Sequence, residues 1–252
     1  MKSLNHTLDK FFQRIPGSYW GIAGGIFGLL VFLIASLLYS LTEPYSIIDN
    51  AVSQLGWGPN GSEPVFRIGM IVLGCVLIPY GIFLTRFLWA KPASRGAKWR
   101  NILNVFSIAF AFISFVGLFM VFLFGNAVRD DLFYLHLIGA FIYFSFAILF
   151  TLFFTISMYL ANTLSKIQEI FTIVTVSLGI ACIISTIPLA TEYGPGALFI
   201  LFKDKTSAER VASLATLEGL IPAFPLTEWL FVIFTCVWFV VTATHTLKLQ
   251  QK

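Results

Sequence analysis

Six stretches of this 252-residue chain are too long and too apolar to be read as the core of a water-soluble domain. A helix needs about 20 apolar residues to cross the hydrocarbon layer of a bilayer, and uninterrupted runs of ~18 or more mark the candidates. They fall at about 19–41, 65–89, 102–125, 133–160, 170–190 and 222–246. Only 11% of the residues are charged and 58% are hydrophobic, against about a quarter charged in globular domains. With no water in the bilayer to satisfy peptide groups, each run has to be helical. The expected fold is therefore all-α: a polytopic membrane protein with six transmembrane helices in one bundle (19–247), a tail at 1–18 and another at 248–252.

The first span follows Lys2, Lys10 and Arg14, as a signal peptide would. Its apolar stretch exceeds the usual length of a signal core and no small-x-small cleavage site follows, so it is expected to remain as a helix. Charge sets the orientation. The side that holds both termini and the 91–100 loop carries eleven Lys and Arg against Asp9 and Glu169, while the opposite side carries five basic and ten acidic residues. By the positive-inside rule both termini are cytoplasmic, in what is expected to be the plasma membrane. The basic rim is explained by topology and by anionic headgroups, so membrane lipids are the expected partners and nucleic acid is not. Cys75, Cys182 and Cys236 all lie within spans and read as buried small apolar residues.

Two connections on the expected outer side are long. The first, 42–64, is rich in Gly and Pro and has little helical potential. The other, 191–221, contains Thr206-Ser207-Ala208-Glu209, which fits a capping box, ahead of apolar positions at helical spacing. That segment reads as a short amphipathic helix on the bundle surface, fit either to cover a site or simply to close a long connection. Within the first span Gly21, Gly24, Gly25 and Gly28 favour close helix contact, inside the chain or in a homo-oligomer. Pro79 is expected to kink the second span.

Six ionisable residues at or near membrane depth fall toward one side, whereas His245, at the other end of the sixth span, reads as an interface residue. Arg67, His136 and Glu228 each lie about a turn inside the outer end of a span, Asp130 and Asp131 stand at the mouth of the fourth, and Glu192 follows the fifth. The middles of the third, fourth and fifth spans carry no charge, which disfavours a pump or transporter, where acids or bases line a mid-membrane path. An Arg and a Glu at equal depth offset each other's desolvation, so Arg67 and Glu228 are expected to pair, with His136 close by. For Arg67 alone snorkelling to phosphates is an equally simple reading. Asp49 and Ser53 add polar groups to the same face, although they also suit a turn-capping pair. Two functions are left open ahead of a third, a small channel or transporter. In the first, a lipid-binding or membrane-organising protein uses Arg67, Glu228, Trp229 and Asp49 as ligand-binding residues. In the second, a lipid-modifying enzyme, an acyl hydrolase or acyltransferase, uses His136 as general base, Asp131 or Glu228 to orient it and Ser53 as nucleophile. No metal-ligand spacing appears and no cofactor is implied.

Three stretches, YSIIDNAVSQLGWGPNGSEPVFRIGMIVLG from Tyr45, RDDLFYLHLIGAFIYF from Arg129 and PLTEWLFVIF from Pro225, together resemble the Frag/DRAM/Sfk group of six-span membrane proteins, nearest its prokaryotic relatives. The positions that match are Asp49, Ser53, Gly56, Phe66, His136, Glu228 and Trp229. The resemblance implies a role in membrane lipid or membrane traffic: remodelling of glycolipid anchors, recruitment of a lipid kinase, or modulation of autophagy. It implies no particular reaction.

Overall fold

The structure, a computed structural model, describes residues 2–91, 97–124, 133–185 and 223–251. Every regular element among them is helical: α1 (Lys2–Arg14), α2 (Gly17–Tyr39), a 3-10 helix (Val52–Trp57), α3 (Ser62–Trp89), α4 (Ala97–Leu123), α5 (Phe133–Leu160), α6 (Lys166–Ile184) and α7 (Ala223–Gln250). The helices α2 to α7 are long and apolar enough to cross a membrane, and the chain is an integral, multi-pass protein built as a six-span bundle.

Neighbours in sequence are neighbours in space, and α7 returns to pack on α2, so the six spans close into a ring. The α2–α7 seam is antiparallel: Ser18 Oγ lies 3.1 Å from Thr246 Oγ1 and 3.3 Å from Gln250 Oε1, and Gly28 faces Cys236. Both chain ends therefore share one end of the bundle, termed here the terminal end. The first long connection lies at the opposite, loop end.

The glycine row of α2 makes this closure possible. Cβ atoms added at Gly21, Gly24 and Gly28 would stand 2.6 Å from Tyr80, 2.6 Å from Leu77 and 2.8 Å from Cys236, and one at Gly25 would meet the Cys236 carbonyl at 2.5 Å. Lacking a side chain there, α2 seats between α3 and α7 of its own chain at backbone contact, where van der Waals packing is the main attraction available in lipid. Across the ring, α7 is knitted to α5 and α6 by rings and hydroxyls. Trp238 packs edge-on against Phe150 and Phe154, and its Nε1–H donates to Thr172 Oγ1 at 2.9 Å, which in turn lies 2.9 Å from Thr155 Oγ1.

Three expectations need correction. The segment expected as a plain N-terminal tail folds as α1, because Leu8 and Phe12 recur on one face with the charged residues opposite. It docks on α2 and α3 at the terminal end, through Phe12 against Phe83 at 6.0 Å, Phe11 stacked on Trp20 at 5.8 Å, and the Asp9–Arg86 ion pair. The Gly- and Pro-rich first connection contains the 3-10 helix, which buries Val52 and Leu55 and so repays its ordering by apolar burial. Of the three free cysteines, Cys182 and Cys236 are buried but Cys75 is exposed on the outside of α3. The helix expected near residues 206–218 lies outside the described residues.

Candidate functional site

The first connection is ordered by a set of side-chain bonds within itself. Asn50 Oδ1 accepts from the Ser46 N–H at 2.9 Å, and its amide donates to Gln54 Oε1 at 2.7 Å. Tyr45 donates to the Ala51 carbonyl at 3.0 Å. Gly61 adopts a left-handed φ of 85° where the chain turns into α3, a conformation open to glycine at little cost. The sharp turn brings the 3-10 helix back over the loop end, where Leu55 is fully buried.

Glu228 enters this arrangement from α7. Its Oε2 accepts the Val52 backbone N–H at 2.9 Å, and the side chain is buried. Val52 is the first residue of the 3-10 helix, and N–H groups at a helix start have no partner within the helix. Glu228 thus caps that helix from a different span, where partial positive charge favours a carboxylate. The neighbouring Trp229 donates its Nε1–H to the Asn50 carbonyl at 2.9 Å, and its ring packs against Phe32 and Tyr45. Two adjacent residues of α7 therefore clamp two positions, Asn50 and Val52, that flank the start of the 3-10 helix.

Arg67 and His136 perform the reciprocal task at the end of α4. The last carbonyls of a helix lack intrahelical donors. Arg67 donates to the Phe122 carbonyl through Nε at 3.1 Å and Nη2 at 2.9 Å. His136 Nδ1 lies 2.8 Å from the Val121 carbonyl and, being next to a carbonyl oxygen, donates to it. The indole of Trp57, the last residue of the 3-10 helix, packs 5.9 Å from the His136 ring. Residues from α3 and α5 thereby close the end of the helix between them.

The expected Arg67–Glu228 ion pair is corrected by this geometry. Arg67 pairs instead with Glu63, one turn earlier on α3, at 2.8 Å. Depth along the membrane matched, but direction around the ring did not: Arg67 turns toward α4, whereas Glu228 reaches the connection lying over the bundle. Asp49 is exposed, and Asn50 rather than Asp49 organises the turn. Ser53 is half-buried, and no hydrogen bond joins it to His136 among the described residues. Asp130, Asp131 and Glu192 lie outside the described residues. Asn50, Tyr45 and Gln54 were missed; the four-residue spacings Ser46 to Asn50 and Asn50 to Gln54 were the available sign of an Asn-organised turn. Among the described residues no group of three His, Cys, Asp or Glu could hold a metal ion.

Beneath this roof, within the ring, lies a cavity of about 50 Å³ bounded by α2, α3, α4, α5 and α7. Leu73, Leu77, Phe115, Leu118, Val232 and Phe239 are representative of its apolar walls. No family model, curated protein or solved structure matches this chain.

Proposed function

We propose that this integral membrane protein is a non-catalytic lipid-binding or membrane-organising protein that engages the phosphate of a lipid headgroup at Arg67. The observation that carries this reading is the partial commitment of that guanidinium. It has five N–H donors, of which one at each of Nε, Nη1 and Nη2 is engaged by Phe122 and Glu63. Two remain, on a side chain 21% exposed and already fixed in place. Pre-ordering of this kind lowers the entropy lost on binding. Because Glu63 neutralises the charge, affinity rests on directed hydrogen bonds rather than on net attraction. Glu228, Trp229 and His136 support the site indirectly, by fixing the connection and the α4 end that frame it. The resemblance to the Frag/DRAM/Sfk group points the same way, toward lipid. The charge asymmetry supports a plasma-membrane orientation with the terminal end cytoplasmic. The hydrolase reading lacks a comparable observation, since Ser53 and His136 are not joined.

The test is binding of phosphatidylglycerol and of diacylglycerol, which has no phosphate, to delipidated protein in detergent, read by native mass spectrometry. Phosphatidylglycerol should bind more tightly. Arg67→Gln should erase roughly tenfold or more of that preference, since a hydrogen bond to a charged group contributes about 1.5–3 kcal/mol. Equal binding of the two lipids, or an unaltered preference in a folded Arg67→Gln protein, would refute the proposal.

A further inference from the structure

The central cavity differs from the polar site at the loop end in depth and in chemistry. Three of the hydroxyls in its walls already donate to backbone carbonyls. Ser114 donates to the Tyr143 carbonyl at 3.2 Å, Thr151 to Ala147 at 2.9 Å, and Thr235 to Phe231 at 2.8 Å. Tyr80 also lines the cavity; its phenol end lies against Gly21 at the α2–α7 seam, and its buried hydroxyl has no hydrogen-bond partner among the described residues. With the donors of Ser114, Thr151 and Thr235 turned to backbone carbonyls, the mainly apolar walls offer few of the two to four polar partners that a water molecule needs. It is suited to an apolar occupant.

Its shape narrows the choice. On α3 the lining runs from Met70 to Gly81, about 16 Å at 1.5 Å per residue. A volume of about 50 Å³ beside walls of that length is a small slot, well below the ~150 Å³ of an engineered cavity that admits benzene. A ring system does not fit, whereas the last few carbons of an unbranched chain do.

The slot also has a door. Along the α3–α4 seam, helix contact is close above, where a Cβ at Gly74 would stand 3.2 Å from Phe119, and below, where Asn104 donates to the Thr85 carbonyl at 3.1 Å. Between these fastenings Gly81, Ala111 and Phe115 are only half-buried, and a Cβ added at Gly81 would meet nothing within 4 Å. Pro79, which has no N–H to give the Cys75 carbonyl, interrupts the hydrogen bonding of α3 at the same level. Ala111 lies near the middle of α4, and Gly81 of α3 lines the same cavity. At that depth a bilayer presents the ends of lipid chains.

We infer that the slot is a binding site for the terminal carbons of one membrane-lipid alkyl chain, which enters sideways between α3 and α4 past Gly81 and Ala111. The site takes the chain and not the headgroup, so it does not depend on Arg67.

The probe is phosphatidylcholine carrying a diazirine at the end of one acyl chain, mixed into phosphatidylcholine vesicles that hold the full chain. After irradiation, adducts are mapped by mass spectrometry. Adducts are expected on the inward-facing Leu77, Thr151 and Thr235 as well as on the outside of the bundle. Ala111→Trp, which fills the door, should lower the inward adducts at least tenfold. Gly81→Leu, which narrows it from the facing helix, should lower them too. Phe112→Trp, on the exposed face beside the door, should leave them unchanged. Arg67→Gln should also leave them unchanged, which separates failure of this site from failure of the headgroup reading. Absence of inward adducts in the native protein, or their persistence in both door variants, would overturn the inference.

Discussion

Replacing Glu228 by alanine should release the first connection from the bundle without dissolving the helix ring. Glu228 is 6% exposed and its carboxylate accepts the Val52 N–H at 2.9 Å. Truncation removes a charge-assisted bond worth about 1.5–3 kcal/mol and leaves a buried N–H unpaired. It also removes a carboxylate whose desolvation was itself costly, near the interface by less than the ~2.5–3.5 kcal/mol of a charge at a helix centre. The two effects act on different equilibria. Relief of desolvation is felt when α7 leaves the membrane, whereas loss of the bond is felt whenever the connection opens locally. Local opening is therefore where the loss is read cleanly. At 1.4 kcal/mol per decade, about 1.5–3 kcal/mol corresponds to roughly a 10- to 150-fold fall in protection of the Val52 amide. Hydrogen exchange with mass spectrometry on peptides covering residues 46–58, in nanodiscs, measures it. Glu228→Gln retains an amide oxygen as acceptor and should lose about 1 kcal/mol, or some fivefold. Protection in Glu228→Ala equal to that of the native protein would refute the assignment of this residue as the cap of the 3-10 helix. Equal loss for Gln and Ala would show that the charge, rather than the acceptor, is what matters.

Other substitutions probe the remaining parts of the construction. Trp229→Phe keeps the ring contacts to Phe32 and Tyr45 but loses the bond to the Asn50 carbonyl, so the same peptides should lose about 1 kcal/mol of protection. Gly25→Ala places a methyl group 2.5 Å from the Cys236 carbonyl and should destabilise the α2–α7 seam by about 1–3 kcal/mol; SDS-induced unfolding reads this. Gly81→Ala meets nothing within 4 Å and should be neutral or stabilising by up to about 1 kcal/mol in the same assay, through helix propensity. His136→Ala removes the partner of the Val121 carbonyl, and faster exchange confined to the last turn of α4 is expected.

The part of this protein that is governed by one dimension is legible in the residues alone. Span length and apolarity decide which segments cross a bilayer, because unsatisfied peptide groups cannot remain in hydrocarbon. The expected span at 65–89 accordingly overlaps α3 (Ser62–Trp89) closely, and the expected span at 133–160 coincides with α5 (Phe133–Leu160). The glycine row of α2 was legible as a close-contact face for the same reason, since a missing side chain acts wherever its helix packs. Depth, too, could be read: Arg67, His136 and Glu228 do gather at the loop end.

What those three residues touch depends on how the helices are seated. Their partners are backbone groups, the Phe122 and Val121 carbonyls and the Val52 N–H. Backbone groups are the same at every position of a sequence, and become distinctive only when a helix happens to end there. Ordering residues by depth suggested an Arg67–Glu228 pair because opposite charges in lipid need compensation. Direction around the ring sent each to a helix terminus instead, where aligned peptide dipoles supply part of the compensating charge. The lateral door arises in the same way. Gly81, Ala111 and Phe115 are ordinary membrane residues in the sequence, and only the seating of α3 against α4, fastened at Gly74 and Thr85 and open between, makes them an entrance.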